Sequence, residues 1–168
     1  MLALAALLTL KASAQAIEVP FRLAENAIIV DTTVNQRKLS LMFDTGFGGA
    51  VLADTNIDLG PSDGSMTLRD FVGEFEAKTV KIKSLKVGEV PITLTEPEAI
   101  QQPLGHMSFS YNAHTDGILG LGALEDRVTE INFENKKFIF HPADYDITKR
   151  TADNKRTFLV KMLPTGQN

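Results

Sequence analysis

Lys38-Leu39-Ser40-Leu41-Met42-Phe43-Asp44-Thr45-Gly46-Phe47-Gly48-Gly49-Ala50-Val51-Leu52 carries two signals in succession. Up to Phe43 it alternates, with Leu39, Leu41 and Phe43 on one side of an extended chain and Lys38, Ser40 and Met42 on the other, the period of a half-buried strand. The alternation breaks at Asp44-Thr45-Gly46 and a glycine-rich turn follows. A strand that delivers an aspartate into such a turn holds the carboxylate rigidly. It also lets backbone N–H groups approach it and shields it from water. An Asx-type turn in which Asp44 only caps the loop fits the local pattern equally well. At ordinary residue usage a D-T-G arises by chance in about 3% of chains this long, so the tripeptide needs support from elsewhere.

Working outward, short strands dominate. Residues 26–35 are rich in Ile, Val and Thr, and Asn35-Gln36 falls where a turn would lead into residues 38–43. Val80 and Ile82 alternate with lysines, the pattern slips at Ser84, and it resumes at Leu85 and Val87, as a bulge or register break would produce. Gly88-Glu89 turns the chain into a return strand with Val90, Ile92 and Leu94. Ile131 and Phe133 form a hairpin with Phe138 and Phe140 across a polar connection. The one helix expected is residues 123–129, where Leu121, Leu124 and Val128 share a face. The sum is an all-β fold, small, closed and mostly antiparallel, with one short helix.

The ends of the chain differ from this body. Residues 1–10 are apolar, and Lys11-Ala12-Ser13-Ala14-Gln15-Ala16 offers the small residues that a signal peptidase accepts. Ten apolar residues are too few for a spanning helix, which needs about 20. Residues 1–16 are therefore predicted to be a signal peptide, with an N-terminal anchor or a buried strand as the alternatives, and the mature chain is expected in a secreted or periplasmic location. Residues 143–156 are polar and read as a linker. Phe158-Leu159-Val160 then opens an apolar, strand-like piece, which is expected either to dock on the domain or on a partner chain, as a dimer-contact strand, or to be the start of a second lobe. The domain proper is residues 17–142.

Composition removes several functions. With 168 residues, 43% hydrophobic and 23% charged, the chain can build one real core. The absence of cysteine excludes disulfide frameworks, thiol catalysis and cysteine-based zinc or iron–sulfur sites. A net charge of −4 with scattered basic residues argues against a nucleic-acid partner. His106, His114 and His141 lack metal-ligand spacing, and no G-x-S-x-G elbow, phosphate loop or G-x-G-x-x-G is present. Neither a metal nor a cofactor is implied. Lys78, Lys81, Lys83 and Lys86 read as the solvated face of an edge strand.

A second motif supports the first. Asp116-Gly117-Ile118-Leu119-Gly120-Leu121-Gly122 lies some seventy residues after Asp44-Thr45-Gly46. With both motifs in this order, residues 21–142 resemble the retropepsin and pepsin superfamily of aspartic peptidases, most closely the bacterial secreted proteins with a retropepsin-like domain. The resemblance implies a small closed β-barrel lobe. It makes Asp44 the catalytic carboxylate, Thr45 a lock between paired active-site loops, and Gly46 the residue that permits the tight turn. Ile118, Leu119 and Gly120 would support the Asp44 loop. Phe47, Gly48, Phe71 and Gly73 would border the substrate, the last two in a covering hairpin over residues 71–76. Asp116 would be structural. Phe47 stands where the family usually has a small Ala or Ser, so its ring could narrow the cleft or mark a lobe that no longer cleaves.

The chemistry needs two aspartates, and this chain has one D-T-G. The expected function is an aspartic endopeptidase lobe whose second carboxylate comes from a homodimer partner or a second lobe, acting on a peptide or protein substrate. The alternative is a non-catalytic peptide-binding or assembly domain that keeps the fold.

Overall fold

A computed structural model describes residues 15–69, 73–142 and 144–148. Within them a three-stranded antiparallel sheet joins β1 (Ile17–Pro20) to β13 (Lys137–Phe140) and β13 to β12 (Thr129–Asn132). The other sheet has ten strands. Its centre is built from β3 (Ala27–Val34), β4 (Arg37–Phe43), β5 (Val51–Asp54) and β11 (Gly117–Leu119). Beyond β5 lie β10 (Glu98–Gln102), β7 (Glu74–Lys81) and β6 (Ser62–Arg69). Beyond β3 lie β8 (Leu85–Val87) and β9 (Val90–Ile92), with β2 (Arg22–Ala24) also paired to β3.

The alternation of the central strands sorts their side chains into two cores. Ile28, Val30, Leu41, Val51 and Leu119 face the small sheet and pack with its Val19, Phe138 and Phe140. Ile29, Met42, Leu52 and Ile100 face the other way, where Leu104, Met107 from α1 (Gly105–Ser110) and Ala77 from β7 cover them. Fully burying each such side chain contributes roughly 1.5–3 kcal/mol. The middle of the sheet is therefore covered on both faces.

The mostly-β reading holds, but neither sheet closes into a barrel among the described residues. The large sheet ends at β6 on one side and β9 on the other. β6 is exposed along its length except at half-buried Leu68, so no continuous apolar face draws it round. β9 is three residues long and carries Pro91, which has no N–H to offer a further strand.

Two local expectations are also corrected. The slip at Ser84 is a crossover between opposite halves of the sheet, since β7 pairs with β10 and β6 whereas β8 pairs with β3. Asn35 makes the crossover possible. Its side-chain amide donates to the carbonyls of Leu59 (2.9 Å) and Lys81 (2.8 Å), and its Oδ1 accepts from the N–H groups of Lys83 (2.7 Å) and Ser84 (3.3 Å). Asn35 also holds φ +48, which Asn tolerates better than most residues. Asn35→Ala removes these four bonds and is expected to cost about 2–4 kcal/mol, read as a lowered urea midpoint with unchanged slope.

The helix lies at Gly105–Ser110, not at residues 123–129. After Gly120 the chain makes only a 3-10 turn, Leu121–Ala123. It cannot continue, because the Val128 carbonyl accepts from His141 N–H (3.0 Å) and Thr129 enters β12. Beyond Pro142, Tyr145 stacks on His141 at 3.7 Å, whereas Asp144, Asp146, Ile147 and Thr148 are exposed, with Asp146 Oδ1 accepting from Thr148 N–H (3.0 Å) in a local turn. The expected signal peptide, apart from Gln15 and Ala16, and the apolar piece at 158–162 lie outside the described residues.

Arg127 ties the two sheets together. Its guanidinium sits 5.7 Å from the Phe140 ring centre and donates to the Pro91 carbonyl (3.3 Å) and to Asp126. The hydrogen bond from Arg127 holds the Asp126 carboxyl below its ordinary value of 3.8, and the same bond raises Arg127 further above its own. A carboxyl lowered in the folded state stabilises above the unfolded value, and that contribution is lost as pH falls through the folded one. Arg127 stays charged throughout. Asp126→Asn lacks this dependence, so its denaturation midpoint should fall less steeply than that of the parent protein as the pH drops below the ordinary carboxyl value of 3.8.

Candidate active site

The site is built where three strands meet. β11 lies between β4, to which it is parallel, and β5, to which it is antiparallel, so Leu119 is the register partner of both Phe43 and Val51. Residues 44–50 must therefore arch over the point where the chain leaves β11. Backbone hydrogen bonds stitch the two layers: Asp44 N–H to Leu119 O (3.0 Å), Gly120 N–H to Ala50 O (3.0 Å), Leu121 N–H to Phe47 O (2.9 Å) and Gly122 N–H to Gly49 O (3.2 Å).

The glycines of the second motif are what permit this contact. A Cβ at Gly120 would fall on the carbonyl oxygens of Phe47 and Gly49, and one at Gly122 would come within 2.9 Å of Gly48 O. Gly117 holds φ +153, and a Cβ there would overlap the Leu52 carbonyl. Spacing alone paired the two motifs in the sequence. Their bond is steric, since one passes directly beneath the other.

Asp44 is half-buried at the start of the arch, and its Oδ1 accepts from Gly46 N–H at 2.7 Å. That bond aims the carboxylate and leaves Oδ2 free of any intramolecular partner among the described residues. Thr45 and Gly46 are exposed at the crown. Phe47 is half-buried, with its ring beside Gly49 and Gly120, and it packs against the same apolar cluster as Leu68 and Phe75 of the β6–β7 hairpin. Gly48 is exposed.

That hairpin is longer than the sequence suggested. It is paired from Ser62↔Val80 to Arg69↔Glu74. Gly73 closes the tip with φ +152. Phe71 lies outside the described residues. The structure thus brings Asp44, Thr45, Gly46, Phe47 and Gly48 into one loop, and the tip end of the hairpin, through the Leu68–Phe75 pair, joins the cluster on which Phe47 rests.

Two other aspartates are held at the far end of β11. Asp116 Oδ2 accepts from Ser40 N–H (2.8 Å), and its Oδ1 pairs with His114 (3.0 Å). Asp54, 8% exposed, accepts from Asn56 N–H (2.8 Å) and Leu104 N–H (2.7 Å) and so anchors the approach to α1. Sequence reasoning passed over Asp54, although Asp54-Thr55 after the apolar Val51-Leu52-Ala53 echoes the Asp44 context. Its two acceptor oxygens are committed, and it lies about four residues along the sheet, roughly 13 Å, and two strands across from Asp44. Neither Asp54 nor Asp116 is placed to be the second carboxylate of a pair.

Among the described residues no group of three or more His, Cys, Asp and Glu side chains could hold a metal, and no helix is long and apolar enough to cross a membrane. No protein-family model matches the chain, and no curated protein matches it in sequence.

Proposed function

We propose that this chain is a retropepsin-like lobe carrying one half of an aspartic endopeptidase site, completed by the Asp44 of a second copy or by a carboxylate from a second lobe. The observation that carries the reading is the Asp44 arch: a carboxylate aimed by Gly46 N–H and held over Gly120 by four backbone hydrogen bonds. Such a scaffold fixes the acid to the tolerance that chemistry requires and leaves its outer face open to a partner.

Two carboxylates about 3 Å apart cannot both ionise and share one proton. The ionised one takes a proton from water as the water oxygen bonds to the scissile carbonyl carbon, and the protonated one gives its proton to the carbonyl oxygen. The resulting diol collapses as the C–N bond breaks: the leaving nitrogen takes the proton first removed from water, and one diol hydroxyl returns a proton to the second carboxylate as the new carbonyl forms, which restores the shared proton. Neither metal nor cofactor takes part. An extended peptide would lie as an added strand between the Asp44 arch and the β6–β7 hairpin. The leader-like residues 1–16 support a secreted or periplasmic setting for this reaction.

A non-catalytic peptide-binding domain is the second reading, raised by Phe47. The ring favours the first reading, since its inward packing on Gly49, Gly120 and the apolar cluster spends on structure much of the surface that would otherwise narrow the cleft. The deciding experiment is cleavage of a peptide mixture by the full-length protein and by Asp44→Asn across acidic and neutral pH. Products that depend on Asp44 support the peptidase, and their absence at every pH overturns it.

A further inference from the structure

We infer that the groove along the outer edge of β1 is the docking site of the chain's own apolar run, Phe158-Leu159-Val160-Lys161-Met162, which adds there as a fourth strand of the small sheet. The groove has a volume of about 680 Å³ and borders all four residues of β1, with Asp31, Lys38, Ser40 and the Gly88-Glu89 turn forming its opposite wall. It lies at the Ser40 end of β4, roughly 13 Å along the strand from Asp44. The inference therefore does not depend on the peptidase reading.

The edge of β1 is the first argument. In the described residues β1 pairs only with β13, with Val19 opposite Phe138, and Phe21 N–H donates to Lys136 O (2.9 Å). In an antiparallel pair, bonded and non-bonded positions alternate, so residues 17, 19 and 21 turn their N–H and C=O groups to β13. The N–H and C=O of Glu18 and the C=O of Pro20 consequently point away from it. An open edge of this kind is a template for another strand, and Pro20, with no N–H, limits how far the pairing can extend. Ile17, 50% exposed, adds apolar surface at the mouth.

Twenty residues follow Thr148, and residues 158–162 are the apolar run among them. Five residues of strand match the four of β1. Phe140 is the register partner of Ile17, so β13 hands the chain on next to the groove. The nine residues 149–157 can span about 30 Å, against the roughly 10 Å from β13 to a strand beyond β1. Lys155, Arg156 and Lys161 would meet a rim carrying Glu18, Asp31 and Glu89. Those carboxylates now pair with Lys137, Arg22 and Lys86 in exposed contacts that exchange easily.

The absence of native cysteine gives a clean test. Glu18→Cys is combined with Leu159→Cys or, for the other face, Val160→Cys in the full-length protein, and each is oxidised at low concentration. An intramolecular disulfide in one of them, at least tenfold above a Lys78→Cys control with the same partner cysteine, supports the docking. A disulfide found only between chains, rising with concentration, overturns it in favour of a second copy in the groove. No disulfide above the control overturns it altogether. Hydrogen exchange on the unsubstituted protein is the independent reading: truncation after Thr148 should speed exchange of the Glu18 amide at least tenfold, and an unchanged rate counts against the inference.

Discussion

Gly120→Ala is expected to destabilise the domain by about 3 kcal/mol, the largest effect of any single methyl group added to the Asp44 arch. The new Cβ would overlap the carbonyl oxygens of Phe47 and Gly49 and the edge of the Phe47 ring. Both carbonyls are already committed, to Leu121 N–H and Gly122 N–H, so they cannot retreat without breaking the bonds that hold the arch down. For a domain of this size that loss lowers the thermal midpoint by roughly 10 °C. Gly48→Ala is the matched control in the same loop. Nothing lies within 4 Å of a Cβ there, and the change should stay within about 0.5 kcal/mol. Equal midpoints for the two variants, measured by circular dichroism, would show that the arch relaxes freely and that the second motif does not support the first by packing.

Asp44→Asn is expected to abolish peptide cleavage, by at least about 10²–10⁴-fold, while leaving the fold intact. The asparagine Oδ1 still accepts from Gly46 N–H, so the arch keeps its shape and stability should barely change. What disappears is the ability to take a proton from water and to share one with a second carboxylate. Mixing then separates the two ways of completing the site. If two copies each contribute Asp44, a 1:1 mixture of the parent and Asp44→Asn chains pairs at random, and about a quarter of the dimers retain both carboxylates. If the second carboxylate belongs to the same chain, about half of the activity remains. Full activity in Asp44→Asn alone would remove the peptidase reading, and unchanged folding in that variant makes the result interpretable.

Local chemistry made some of this legible in advance. The alternation of Leu39, Leu41 and Phe43 identified β4 and its buried side, the β8–β9 and β12–β13 hairpins followed from their turns, and Asp44 stood out because a strand broke there into glycines. β6 was silent. All its residues but Leu68 are exposed, and one half-buried side chain carries no period to read. Asn35 looked like an ordinary hairpin turn, because its four partners are contributed by residues 24 to 49 positions away. The helix was expected at residues 123–129 because three apolar residues shared a face, but β13 claims the end of that segment and the Asp44 arch confines its start.

By itself the sequence determined the chemical content: a cysteine-free, strand-forming chain with one D-T-G and a glycine motif seventy residues later. The tertiary structure decided how those parts relate. It placed β11 between β4 and β5, left both edges of the large sheet unpaired among the described residues, and separated Asp44 from Asp54 and Asp116. The reason is that strand periodicity tells a residue which face to bury but not which distant strand lies beside it. That choice was made by contacts across the whole chain, and at Gly117, Gly120 and Gly122 by side chains that are not there.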